Sequence, residues 1–256
     1  MNPAVLSGKI GLVTGLANDK SIAWGVARAC ASKGAELVLT YQNDKARQYT
    51  AALAESLPAS LFEPLDVTTP GSLEALMQKI VDKHGKLDFL VHSMAFAPLA
   101  DLHGRVTDCS LEGFQKAMDI SVHSLIRMAR AAEPLMKDGG SIVTMSYLGA
   151  ERVVPNYGIM GVCKAALESA TRYLADELGP KGIRVNAVSP GPMPTRAASG
   201  IAHFDELMES AIRKAPLHRL ATLEQVGELT AFLVSAPAAA ITGSTIHADG
   251  GYHIEA

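Results

Sequence analysis

Short runs of apolar and β-branched residues alternate along the chain with longer segments in which apolar positions recur every three to four residues. Ile10–Thr14 predicts a first strand, and Ser21–Lys33 a helix closed by Gly34. Glu36–Tyr41, Leu61–Leu65 and Leu87–Ser93 predict the next three strands, with helices at about Asp44–Ser56 and Leu73–His84 between them. A long loop to Asp108 then leads into one long helical stretch, about Leu111–Met136. Gly140–Met145 reads as the fifth strand, Tyr157–Leu178 as a long helix and Ile183–Ser189 as the sixth strand. Two shorter helices within 203–235 and a seventh strand at Ser244–His247 complete the pattern. Strands alternating with helices through short turns mean parallel βαβ units with right-handed crossovers. Leu37-Val38-Leu39 and Phe89-Leu90-Val91 are apolar on both faces, as in strands covered by helices on both sides. The expected fold is α/β: one domain over residues 1–256, a doubly wound parallel seven-stranded sheet of Rossmann type.

Composition narrows the function classes. The chain has 256 residues, enough for one large core, and a net charge of -3, which argues against a nucleic-acid partner. Cys30, Cys109 and Cys163 are odd in number and far apart, without the spacing of a disulfide framework or a zinc site. The segment before the first strand is too short and polar for a secretory signal, and no long apolar run predicts a membrane span. A cytoplasmic protein with no membrane or metal association is expected.

After the first strand comes Thr14-Gly15-Leu16-Ala17-Asn18-Asp19-Lys20-Ser21-Ile22-Ala23-Trp24-Gly25. Gly15 suits a tight turn, Ser21 an N-cap, and Gly25 close packing of helix on sheet. Backbone N–H groups at Ser21 and Ile22 would then face a pyrophosphate at the helix N-terminus. The loop is longer than G-x-G-x-x-G and has serine for the middle glycine, so a plain strand–helix turn stays open. Gln42, at the end of the second strand, is a neutral amide where an acidic residue commonly meets the adenosine ribose, and no Arg stands beside it. NAD is therefore expected, with NADH preferred over NADPH. Asp66 and Val67, ending the third strand, suit the adenine; a turn cap is the alternative for Asp66.

Tyr157 and Lys164 are seven residues apart, nearly two helical turns, so both lie along one helix face. A phenol near an ammonium is expected to be an acid drawn toward neutrality. Tyr147 offers a second phenol in the loop after the fifth strand. The three suit a reaction that makes an oxyanion and then protonates the product.

With Arg184-Val185-Asn186-Ala187-Val188 and Asp249-Gly250-Gly251, these motifs resemble the short-chain dehydrogenase/reductase superfamily. More narrowly, Thr40-Tyr41-Gln42-Asn43, His92-Ser93-x-x-Phe96-Ala97-Pro98, Ser146-Tyr147-Leu148-Gly149-Ala150-Glu151-Arg152 and Ala197-Ala198-Ser199-Gly200-Ile201 resemble the bacterial NADH-dependent enoyl-acyl carrier protein reductases. The superfamily carries serine thirteen residues before the tyrosine; Thr144 stands there, and Tyr147 follows. The resemblance implies reduction of a trans-2-enoyl thioester by NADH in fatty acid elongation, with Tyr157 on the enolate oxygen and Lys164 on the nicotinamide ribose. It gives Tyr147 a part in closing the site and in protonation. It implies cofactor contacts at Met94 and along Met193-Pro194-Thr195-Arg196-Ala197, with Met193 on the nicotinamide and Thr195 on the phosphates. Ala97 would line the substrate mouth, and about 193–215 would form a mobile lid. A homotetramer is implied, with contacts at the last helix and closing strand.

Three features depart from that pattern: Ala95 stands where glycine is common, Pro190 and Pro194 stiffen the cofactor loop, and the lid carries Asp205, Glu206 and Glu209. Acyl carrier protein is acidic, so the last departure opposes docking, although Arg196, Arg213, Lys214 and Arg219 could compensate. A paralogue acting on a coenzyme A thioester or a carbonyl is the alternative activity, and a non-catalytic NAD-binding protein the alternative class.

Overall fold

The computed structural model describes residues 4–196 and 198–255. Seven strands, β1 (Ile10–Val13), β2 (Glu36–Tyr41), β3 (Ala59–Pro64), β4 (Phe89–His92), β5 (Gly140–Met145), β6 (Ile183–Pro190) and β7 (Thr245–Ala248), form one sheet. All pairings are parallel, and the order is β3-β2-β1-β4-β5-β6-β7. The chain reverses direction across the sheet between β1 and β4, which opens a crevice at their carboxyl ends.

The period of two along each strand sends neighbouring side chains to opposite faces. Leu12, Val38, Leu90 and Ile142 join one core cluster, with side chains of α3 (Ser72–His84) and of the helices after β4 and β5. Val13, Leu37, Leu39, Phe89, Val91 and Val143 join the other, beneath α1 (Ile22–Ser32) and α9 (Leu223–Leu233). A further helix, α2 (Asp44–Glu55), starts at Asn43, whose side chain accepts the Ala46 amide at 3.0 Å.

The sheet matches the expected elements within a few residues, while three local details differ. Residues 94–108, expected as loop, contain a short helix, α4 (Leu99–His103), started after Pro98. The expected helical stretch to about Met136 is continuous but not α throughout: α5 (Leu111–Met118) passes through a π-helical turn, Asp119–His123, into α6 (Ser124–Ala132) and ends in a 3₁₀ turn holding Pro134. Gly25 serves helix–helix rather than helix–sheet packing, because a Cβ there would lie 2.6 Å from the Leu223 carbonyl oxygen. Gly227 reciprocates on α9, and the two glycines let α1 and α9 pack backbone to backbone.

The remaining helices are α7 (Gly158–Leu178), α8 (Phe204–Lys214) and α10 (Tyr252–Glu255). Among the described residues, no helix is long and apolar enough to cross a membrane. All three cysteines are free.

Candidate active site

A cleft of about 850 Å³ opens at the carboxyl ends of β1, β4, β5 and β6. The turns that follow the strands supply its inner walls, as the switch between β1 and β4 dictates. Gly15, Ser21 and Ile22 supply the wall after β1, and Met94, Ala95 and Ala97 that after β4. Gly15 has φ +89°, and a Cβ there would lie 1.9 Å from the Ser93 carbonyl oxygen, so only glycine lets the two turns meet. Ser21 stands at the N-cap of α1, but its hydroxyl donates to the Asn18 carbonyl at 2.6 Å instead of capping the helix. The first turn of α1 also holds no acidic residue, so the helix N-terminus faces the cleft without an anion of its own.

The floor is made by β5 and α7. Tyr147 leaves the end of β5, and Tyr157 is the N-cap residue of α7. Their rings meet edge to face, 4.8 Å between centroids at 67°. Gly149 makes room for this pair, because a Cβ there would strike the Tyr157 ring at 2.4 Å. Lys164 follows two turns along α7, buried, and its Nζ donates to the Met145 carbonyl at 2.7 Å. The Tyr147 hydroxyl is buried with no hydrogen-bond partner among the described residues.

Burial dominates the titration of all three groups. It drives the Lys164 ammonium down to about 8, opposed by Cys163 and Glu168. It raises Tyr157 well above the usual phenol range, with Tyr147 and Cys163 adding to the effect, and raises Tyr147 likewise. The expected acidic phenol is therefore corrected: Tyr157 is a fully protonated donor at neutral pH. The lysine charge goes to a backbone carbonyl at the strand end, whereas the phenol ring sits in apolar surroundings.

Thr144 points elsewhere. Its hydroxyl bonds His92 Nδ1 at 2.9 Å, and His92 Nε2 meets the Ser124 hydroxyl at 2.8 Å, so the histidine is boxed in the core. Burial and the Lys164 charge hold His92 down to about 3, which keeps it neutral. Asn186 and Asp249 also work away from the cleft: Asn186 donates to Ile241 and accepts from Ser244, while Asp249 accepts the Gly251 and His253 amides.

Met193, Thr195 and Arg196 line the cleft after β6, whereas Pro194 is exposed beside it. Ala197 lies outside the described residues. Gln42 is exposed at the carboxyl end of β2, on the β3 side of the switch point. The Asp66 carboxylate accepts both the Thr68 amide, at 2.9 Å, and its hydroxyl, at 2.7 Å, and so closes a turn. Val67 is buried, with its carbonyl accepting from Arg127 at 3.0 Å.

Several contributors were not evident from sequence reasoning. Ser121, in the π-helical turn, clasps the loop after β4 by accepting the Phe96 amide at 3.0 Å and donating to the Phe96 carbonyl at 3.1 Å. π-helical turns often mark functional sites, but their apolar pattern reads as ordinary helix. Leu102, Ile201 and Phe204 give the cleft an apolar far wall, brought together from α4, the segment before α8, and α8 itself. Two side chains hold that segment: His103 Nε2 lies 2.6 Å from the Gly200 carbonyl oxygen, and Asn156 Nδ2 donates to the Ala202 carbonyl at 3.1 Å.

The strand order, the glycine turn after β1 and the Tyr–Lys pair on the helix after β5 define a short-chain dehydrogenase/reductase. A family model described as Enoyl-(Acyl carrier protein) reductase matches residues 15–253. The NADH-dependent enoyl-acyl carrier protein reductase of Rickettsia felis is 46% identical over 254 residues, 99% of this chain and 98% of the relative. The enoyl-acyl carrier protein reductase of Anaplasma phagocytophilum, solved in complex with NAD, superposes with a TM-score of 0.94 at 46% identity, covering 98% of this chain and 95% of its own. That of Bacillus cereus, solved with NADP+ and an indole naphthyridinone, gives 0.95 at 44% identity, covering 98% of each chain. The chain belongs to the enoyl-acyl carrier protein reductase family.

Proposed function

We propose that this cleft reduces the trans-2 double bond of an enoyl thioester with NADH, as in fatty acid elongation. The observation that carries the reading is the Tyr147–Tyr157 edge contact beside the buried Lys164, at the floor of an apolar cleft. The residues suit a dinucleotide: an uncapped α1 N-terminus facing the cleft for the pyrophosphate, and an ammonium beneath it for the nicotinamide ribose hydroxyls. Met193, Met94 and Thr195 would hold the remainder. NADH, when bound, supplies hydride to C3 of the enoyl chain.

Reduction at C3 leaves an enolate with its charge on the thioester oxygen. Tyr157, kept protonated by burial, donates a hydrogen bond to that oxygen, and the bond strengthens as the charge develops. Apolar walls at Leu102, Ile201 and Phe204 exclude water and seat the acyl chain, and Ala97 lines its mouth. The unpaired Tyr147 hydroxyl is the second donor in reach of the substrate and takes part in protonation at C2. Gln42 reads the adenosine ribose without repelling it, and with no arginine next to it NADH is preferred over NADPH.

Acyl carrier protein is the proposed bearer of the acyl chain. The lid carboxylates that oppose it have a second role, because Asp205 and Glu206 sit in the first turn of α8, where they complement the helix dipole. Exposed Leu111, Phe114, Ile126, Val162 and Tyr173 on α5, α6 and α7 support a homotetramer, as does the half-buried edge strand β7. Light scattering at micromolar concentration is expected to give the mass of four chains; a monomer refutes it. Free cysteines suit a cytoplasmic location.

The activity is tested by NADH oxidation with crotonyl groups on carrier protein, crotonyl groups on coenzyme A, and a ketone. Both thioesters should turn over, and Tyr157→Phe should lose about 10²-fold in kcat with KM for NADH roughly kept. Turnover of the ketone alone would remove the enoyl assignment.

A further inference from the structure

Two successive inward side chains of α7 hold two successive residues where β5 ends. Lys164 Nζ donates to the Met145 carbonyl, and one turn later the Glu168 carboxylate accepts the Ser146 hydroxyl. Ser146 and Glu168 are both buried, and the Ser146 amide is fixed from the other side by the Val188 carbonyl at 2.7 Å. The next residue is Tyr147, and Ser146 itself lines the cleft. A carboxylate buried this deeply is costly, and its partner here is the hydroxyl of a residue that lines the cleft. Nothing in the proposed chemistry yet employs it.

We propose that Glu168 is a positioning residue of the reductase: through the Ser146 hydroxyl it fixes the strand end that presents Tyr147. The inference rests on the enoyl-reductase reading of the cleft. The groups around the pair come from several elements. Glu168 faces Glu151 from the turn after β5, His247 from β7, and Arg172 on α7. His247 Nε2 is 3.4 Å from Glu151 Oε1, and its ring stacks on His253 at 4.0 Å. Lys164 is influenced by Cys163 and Glu168 on α7, and its own charge acts on His92 from β4.

The sign of the effect follows. Burial lowers Lys164 to about 8, and the Glu168 carboxylate acts the other way. Activity that needs the ammonium therefore falls as pH rises through about 8, and removing the carboxylate charge moves that fall to lower pH.

The test uses the intact protein with NADH and a crotonyl thioester. Glu168→Ala and Ser146→Ala should each lose about tenfold or more in kcat, with KM for NADH within about twofold. Glu168→Gln keeps an acceptor for Ser146 and should recover most of that loss at pH 6.5. Its alkaline limb should nonetheless sit about half a pH unit or more below that of the unaltered protein. Should Glu168→Ala fail to fold, Ser146→Ala and Glu168→Gln decide the matter. Unchanged kcat in Ser146→Ala, or a loss in Glu168→Gln as large as that in Glu168→Ala, overturns the proposal. NADH affinity against pH, read by fluorescence, reports the same alkaline shift, so the two readings fail separately: absent thioester turnover with the shift present refutes only the substrate assignment.

Discussion

Lys164 has to carry its charge where there is almost no water. Its ammonium is lowered from 10.5 to about 8 by burial, so between those values the unfolded chain binds more protons than the folded one. Stability from this group thus rises with pH across that window, and the cost of burying the charge is present in full below about 8. Relative to Lys164→Met, the unaltered protein should gain on the order of 3 kcal/mol between pH 8 and pH 10.5, measured by urea unfolding. A flat difference would show that burial in the fold does not lower the lysine at all. The Tyr–Lys spacing was legible because a helix puts i and i+7 on one face. The partner of Lys164 was not, since the Met145 carbonyl comes from a strand nineteen residues earlier and carries no side-chain signal. Thr144 likewise gave no hint of His92, because that pair forms only when β4 and β5 lie side by side.

Among the elements, the segment leading into α8 is tied to the rest of the cleft by two hydrogen bonds from side chains of other elements. His103 reaches it from α4, and Asn156 from the residue before Tyr157, where its left-handed backbone (φ 60°) suits asparagine. A hydrogen bond of this kind contributes about 0.5–1.5 kcal/mol. His103→Ala and Asn156→Gly, the latter keeping the backbone conformation, should therefore raise KM for the acyl thioester by about two- to tenfold each while leaving KM for NADH in place. Equal rises in both constants, or none, would detach these residues from the lid. The helices α1, α2, α3 and α7 were readable from apolar periodicity, with a glycine just past the end of α1, α3 and α7. The π-helical turn was not, because one extra residue per turn leaves the apolar face in place. The five residues of α4 were too few for any period to show.

At the scale of the whole molecule, strand order does most to locate function. Continuous apolar runs between amphipathic helices predicted a parallel sheet, and the reversal between β1 and β4 put the cleft at the strands' carboxyl ends. That organisation was visible in the chain because the inner strands are buried on both faces and the helices alternate apolar and polar sides. The apolar wall opposite the tyrosines was less visible, since Leu102, Ile201 and Phe204 are distant in sequence and meet only across the cleft. Reduction of a carbonyl carbon and of a C=C bond put the hydride on different atoms, and an apolar chamber with two phenols at its floor favours the latter. The measurement that separates them is the fate of deuterium from NADH labelled at nicotinamide C4, read by NMR of the product made from a crotonyl thioester in ordinary water. Label on C3 of the butyryl chain, with a solvent proton at C2, is the predicted result. Label at C2, or on the carbonyl carbon of a reduced product, would contradict the account.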